Sequence, residues 1–261
     1  MLNAQPERWF HAAAETGNIF FVHWRIKVAD VPLFIEAKEV FLQPDRPTGN
    51  RHVIFLHGWN AGGGSLLAWH HALRLLADES WTFWRVDYPT HRWSFRRGAE
   101  EIARSLRATG REFDEVILFG YSMGGVTARQ LVADDFPCRS LVALGTPHTG
   151  VARWVPAHSP GTLSIHRRSH ALRELNENPR DIAARANYHF YSLTYRDRFG
   201  AHPHDGLIPR RSALGLSLDG IATRENTEFA YSFPPGTSPH LRGMNPSDVP
   251  LVMEKMRVVL K

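Results

Sequence analysis

Val116 to Gly125 reads VILFGYSMGG: an apolar run, a serine between glycines, then the start of an apolar-periodic segment. The run reads as a strand and the segment after it as a helix, so Ser122 sits on a sharp strand-to-helix turn. Such a turn strains the serine backbone and leaves no room for bulk beside it. Gly120 and Gly124 meet that demand, and Gly125 lets the helix approach the sheet. The G-x-S-x-G spacing is a weak signal on its own; its setting makes Ser122 a candidate nucleophile rather than an exposed serine on a glycine-rich turn. An oxyanion hole needs two backbone N–H groups. Met123, next after the serine, offers one. The other is expected from Trp59, in the loop FLHGWNAGGG that follows an earlier strand. His57 precedes the serine and reads as a brace for that loop.

Outward from the turn, strands and helices alternate. Strands are expected at 52–56, 83–86, 116–119, 140–144 and 188–194, and helices at 65–77 (with Ser65 as N-cap), 98–108, 124–134 and 247–260. This rhythm predicts an α/β fold with a mostly parallel central sheet and helices on both faces. Thr149 to Asn187 is long, proline-containing and partly helical, and reads as a lid-like insertion (149–187) above the sheet. Before the first strand lie a short helix at 5–15 and two β-rich runs, 19–29 and 32–42, expected to pair antiparallel. One domain spanning 1–261 accounts for the length.

The composition, 43% hydrophobic and 22% charged, is that of an ordinary globular protein. The net charge is +5, with basic doublets at Arg96-Arg97, Arg167-Arg168 and Arg210-Arg211 rather than one run. That pattern argues against nucleic acid as a partner, while a mildly cationic surface suits anionic membranes or substrates. Cys138 is the only cysteine, so no intramolecular disulfide forms, and it reads as a buried structural thiol. No secretory signal and no run of about eighteen apolar residues is evident. A cytoplasmic location without stable membrane insertion is expected, surface contact remaining open, as does the oligomeric state.

Where a serine sits on such a turn, the acid and then the histidine follow it in the chain. Of fifteen histidines only His240 lies beyond the candidate acids Asp197 and Asp205. Asp197, in YRDRFG, stands between two arginines and reads as a surface ion-pair residue. Asp205 precedes Gly206 and an apolar LIP, a tight turn able to aim a carboxylate inward, and is favoured. The same stretch, AHPHDGLIP (201–209), also offers half a metal site in His202, His204 and Asp205. An H-x-H-x-D-H run would need the aspartate one place later and a further histidine. His70 and His71, the other cluster, are adjacent on a helix and diverge. No metal is expected.

Together these residues resemble the α/β-hydrolase fold, and within it the bacterial lipase and esterase branch. FLHG, GYSMGG, LGTPHTG (144–150) and HDGLIPRRSA with SPHL downstream carry the resemblance, and HALRELN (170–176) resembles the lid-region helix of that group. It covers roughly residues 50 to 260. The resemblance implies carboxylic-ester hydrolysis through an acyl-enzyme, with Ser122, Asp205 and His240 as triad and no cofactor. The implied substrate is a small-molecule acyl ester or a lipid. Trp59, Trp93 and Trp154 are expected near an apolar acyl pocket, with His57, Gly58 and Tyr121 as further substrate-side candidates. Secreted bacterial lipases often bind calcium through an aspartate two places after the histidine; here Arg242 stands there, which argues against calcium. A thioesterase or acyltransferase using the same triad, and a non-catalytic ligand receptor on the same fold, are the alternatives.

Overall fold

The computed structural model describes residues 37–46, 49–230 and 239–261. The expected helix at 5–15, the run 19–29 and residues 32–36 of the run 32–42 lie outside them. Of that second run, 37–42 are described, and its last two residues open strand β1 (Phe41–Pro44), which pairs antiparallel with β3 (Trp81–Asp87).

The sheet continues through β2 (Arg51–Leu56), β4 (Glu115–Tyr121), β5 (Ser140–Leu144), β6 (Tyr188–Asp197) and β7 (Gly200–His202), in the order β1-β3-β2-β4-β5-β6-β7. A last strand, β8 (Thr223–Ala230), pairs parallel with β6. Among the described residues this gives an eight-stranded, mostly parallel sheet, with β1 and β7 antiparallel.

Strands buried on both faces need apolar residues at consecutive positions, and the chain supplies them. Ile54, Leu56, Val116, Leu118, Leu141 and Ala143 point to one face, against helices α2 (Phe95–Arg107) and α3 (Met123–Ala133). Their neighbours Val53, Phe55, Ile117, Phe119 and Val142 point to the other, against α1 (Leu67–Arg74) and the last helix, Pro250–Val259. A third apolar cluster joins Phe95, Met123 and Val126 to Val151, Ile165 and Leu172 of the 149–187 region. That region folds as α4 (Pro160–Ser164), α5 (His170–Glu177) and α6 (Pro179–Ala184), and is seated on α3.

Several boundaries differ from expectation. Ser65 caps no α-helix: a 3₁₀ turn, Gly63–Leu66, precedes α1. The helix ends at Arg74, whose guanidinium donates to the carbonyls of Ala77, Asp78 and Trp81 and so turns the chain. Helix α2 starts three residues early because Ser94 caps it, accepting from the Arg97 N–H at 3.3 Å. Strand β8 is absent from the expected elements because TRENTEFA has no apolar face. Polar pairs hold it to β6 instead: Asn226 with Ser192 and Thr194, Glu228 with Arg196. Helices α7 (Arg210–Ala213), α8 (Pro239–Arg242) and α9 (Pro250–Val259) complete the chain, with Pro250 in the first turn of α9.

Candidate active site

Ser122 lies where β4 ends and α3 begins, with φ 55° and ψ −126°. Its N–H donates to the Leu144 carbonyl at 2.9 Å, anchoring the turn to β5. The close approach is visible at Gly124, where an added Cβ would stand 2.0 Å from the Leu56 carbonyl oxygen. A Cβ on Gly58 would lie 2.9 Å from the Ser122 Cβ and 3.3 Å from its Oγ, so the loop after β2 presses directly on the serine. Trp59 follows in that loop. Met123 opens α3, where N–H groups of the first turn have no partner within the helix.

His57 is fully buried behind this loop. Its Nδ1 lies 2.9 Å from the Gly58 carbonyl and its Nε2 accepts from the Tyr88 N–H at 3.3 Å, while the Tyr88 hydroxyl donates to the His57 carbonyl at 2.8 Å. It braces the loop and lines no part of the pocket beside Ser122.

Asp205 is completely buried. One carboxylate oxygen accepts from the N–H groups of Leu207 at 3.0 Å and Ile208 at 2.7 Å, the tight turn that DGLI implies. The other lies 2.6 Å from His240 Nδ1, and the His240 N–H donates to the Asp205 carbonyl at 3.0 Å. Main chain and side chain thus fasten α8 to the acid turn. Tyr121, also buried, donates its hydroxyl to the His240 carbonyl, and its ring lies 5.2 Å from the imidazole. Burial, with the Asp205 charge adding to it, holds the Tyr121 phenol well above its ordinary range. It stays a neutral donor.

Ser122, His240, Gly58, Trp59 and Tyr121 meet at one pocket. Its walls are largely apolar: Val151, Val155 and Ile165 from the 149–187 region, Leu207 from the acid turn, Leu241 and Met244 beyond His240. His158 and Thr162 also line it, and nothing in the sequence marked these two.

Besides His57, three candidates fall elsewhere. Asp197 accepts from the Phe199 N–H at 2.8 Å and meets His202 Nε2 at 3.0 Å, whose hydrogen bond holds its carboxyl below the usual range. Its neighbour Arg196 pairs with Glu228, so the expected arginine bridge to Asp197 is a histidine contact. Trp154 is half exposed, donates to the Gly206 carbonyl at 3.0 Å and meets His204 edge-on, outside the Ser122 pocket. Trp93 lies beneath the Arg97 guanidinium.

His202 stacks on Tyr195, and His204 Nδ1 accepts from the Gly206 N–H at 3.0 Å. Among the described residues no group of three or more His, Cys, Asp or Glu could hold a metal ion. Burial pushes the Cys138 thiol up to about 12, which keeps it protonated and unreactive near neutrality. No helix among the described residues is long and apolar enough to cross a membrane.

A buried carboxylate holding one imidazole nitrogen, beside a strained serine in an apolar pocket, can run acyl transfer without a metal. Comparison with known proteins agrees at the level of fold. Among curated proteins none matches the sequence. The mature lipase BlEst2 of Bacillus licheniformis superposes with a TM-score of 0.59 at 15% identity, over 83% of this chain and 98% of that one. Lipase B of Aspergillus fumigatus gives 0.53 at 14% identity, over 70% and 48%. An N-acyl homoserine lactonase complexed with N-hexanoyl homoserine lactone gives 0.50 at 11%, over 87% and 97%. At such identities the likeness is one of fold. The family model described as the alpha/beta hydrolase fold matches residues 51–213, well over half of the chain, and it takes in the serine turn and the acid turn. The chain belongs to the α/β-hydrolase fold family.

Proposed function

We propose that this protein is a serine carboxylic-ester hydrolase of the lipase or esterase type, working through an acyl-enzyme on Ser122. The observation that supports it most is the 2.6 Å contact between His240 Nδ1 and Asp205 at the pocket that Ser122 lines. With Nδ1–H donated to the carboxylate, Nε2 is left as the base. It takes the Ser122 proton as the hydroxyl attacks the ester carbonyl, and Asp205 stabilises the imidazolium so formed. Backbone N–H groups of Met123 and Trp59 receive the oxyanion, each such donor contributing about 10²–10³ in rate. His240 then protonates the leaving alcohol, and water, deprotonated by the same nitrogen, releases the acid. No cofactor enters any step. Val151, Val155, Ile165 and Met244 supply the apolar wall for an acyl chain, with the 149–187 region as a cap over it.

The test is a serine-reactive phosphonate followed by peptide mass mapping, with a p-nitrophenyl ester chain-length series on wild type and Ser122→Ala. A single adduct on Ser122 and turnover lost in the variant are expected. Ligand binding with no turnover of any ester would make the protein a receptor, and turnover of thioesters alone would make it a thioesterase.

A further inference from the structure

Outside the pocket, its wall carries a charge pattern that ester hydrolysis does not use. Residues 149–173 and 198–218 hold seven arginines and one acidic residue, the buried Asp205. These two segments therefore carry +6 of a chain whose net charge is +5, and the remainder carries −1. Hydrogen bonds lace them together. The Val151 N–H donates to the Ile165 carbonyl, the Ala152 N–H to the Leu207 carbonyl, and the Ser212 hydroxyl to the Gly150 carbonyl. Gly150 in turn abuts the backbone of Arg167, 2.3 Å from where a Cβ would stand.

None of Arg153, Arg167, Arg168, Arg210 and Arg211, which these segments carry, lines the pocket that the same segments wall. All five are exposed, and none forms an ion pair among the described residues. Large apolar side chains are exposed on the same two segments: Trp154 is 47% exposed, Leu163 55% and Leu216 54%. A depression lined by Arg153, Trp154, His204, Arg210, Arg211 and Leu216 joins the two kinds of residue.

We propose that this collar docks the protein on an anionic phospholipid surface, with the pocket beside it. Unpaired arginines gain by approaching phosphate headgroups, each adding roughly fivefold to partitioning near an anionic leaflet. Exposed tryptophan and leucine among them gain by entering the headgroup boundary, and neither would gain from a nucleic-acid backbone. Docking itself is independent of the acyl-transfer reading; delivery of a lipid substrate to Ser122 rests on it.

Sedimentation of the full-length Ser122→Ala protein with vesicles separates the two. Vesicles of phosphatidylcholine with 30 mol% phosphatidylglycerol should carry down at least tenfold more protein than pure phosphatidylcholine, and 0.5 M NaCl should abolish the difference. R210E/R211E should lower that partitioning at least tenfold while leaving turnover of soluble p-nitrophenyl butyrate unchanged in the otherwise wild-type protein. R153E/R168E serves if the first variant fails to fold, and R107E/R257E, the same charge change elsewhere, should partition like wild type. Equal sedimentation with both vesicles, unchanged partitioning in the collar variants, or an equal loss in R107E/R257E would overturn the proposal. So would displacement by millimolar inorganic phosphate at matched ionic strength, or tighter retention on duplex DNA than on anionic vesicles. The first would mark a small-anion site and the second a nucleic-acid face.

Discussion

Asp205 and Asp181 are both completely buried carboxylates with cationic or titratable partners, yet they are built for different ends. Asp181 on α6 accepts from Arg129 at 3.0 and 2.6 Å, from Arg185 at 3.1 and 3.0 Å, and from the Tyr188 hydroxyl at 3.1 Å. Its main partners are permanent cations and its oxygens are saturated. It clamps α6 to α3. Asp205 instead spends one oxygen on its own turn and the other on a histidine that faces the pocket. A buried carboxylate is a site when its partner can still change protonation state and reach solvent or substrate; otherwise it is a rivet.

The contrast breaks most sharply under substitution. Asp205→Asn should lower kcat/KM by about 10³–10⁴-fold with little change in Tm, since the amide fits the turn but cannot hold the imidazolium. Asp197→Asn should leave ester turnover within about twofold, because its partner is His202; the reverse ranking would move the acid to Asp197. Asp181→Asn should do the opposite of Asp205→Asn. Leaving Arg129 and Arg185 buried without their carboxylate costs about 3–5 kcal/mol, a Tm loss on the order of 10 °C, with kcat nearly unchanged below the transition. Equal Tm values for wild type and Asp181→Asn would show that the cluster is not the rivet described.

A third, smaller effect is one of pH. His189 is buried on β6, where burial and then the Lys255 charge lower its pKa to about 4. The unfolded chain, near 6.5, takes a proton that the folded chain refuses. Stability from this group is therefore complete above about pH 6.5 and lost as pH falls toward 4. Urea midpoints should drop across that window and drop less in His189→Gln; parallel slopes would remove His189 from the account.

The two carboxylates also differ in how far the sequence revealed them. The turn around Ser122 is legible because glycines at fixed offsets leave little else possible, and the order serine, acid, histidine leads from it to Asp205 and His240. Nothing equivalent marks Asp181. Arg129 sits in MGGVTARQLVA as any polar-face arginine would, and only the docking of α6 buries it. Polar β8 escaped for the same reason, since its partners lie some thirty residues away in sequence. Trp154 reads as a pocket residue by its neighbours, but its ring follows a hydrogen bond to Gly206 and faces outward. Patterns within one segment are readable; partnerships formed by packing are not.

The backbone of Ser122, at φ 55° and ψ −126°, ties chemistry to fragility. Holding a non-glycine residue there costs about 1–3 kcal/mol, paid in every molecule whether or not substrate is present. Ser122→Gly should relax the turn and, after glycine's greater freedom in the unfolded chain, gain about 1 kcal/mol, or roughly 2–4 °C in Tm. A lower Tm in that variant would mean that the side chain holds the turn instead of straining it. If the gain appears and Ser122 carries the proposed acyl-enzyme, the most durable form of this chain is an inert one, and any screen that rewards thermal survival alone will drift toward losing the serine.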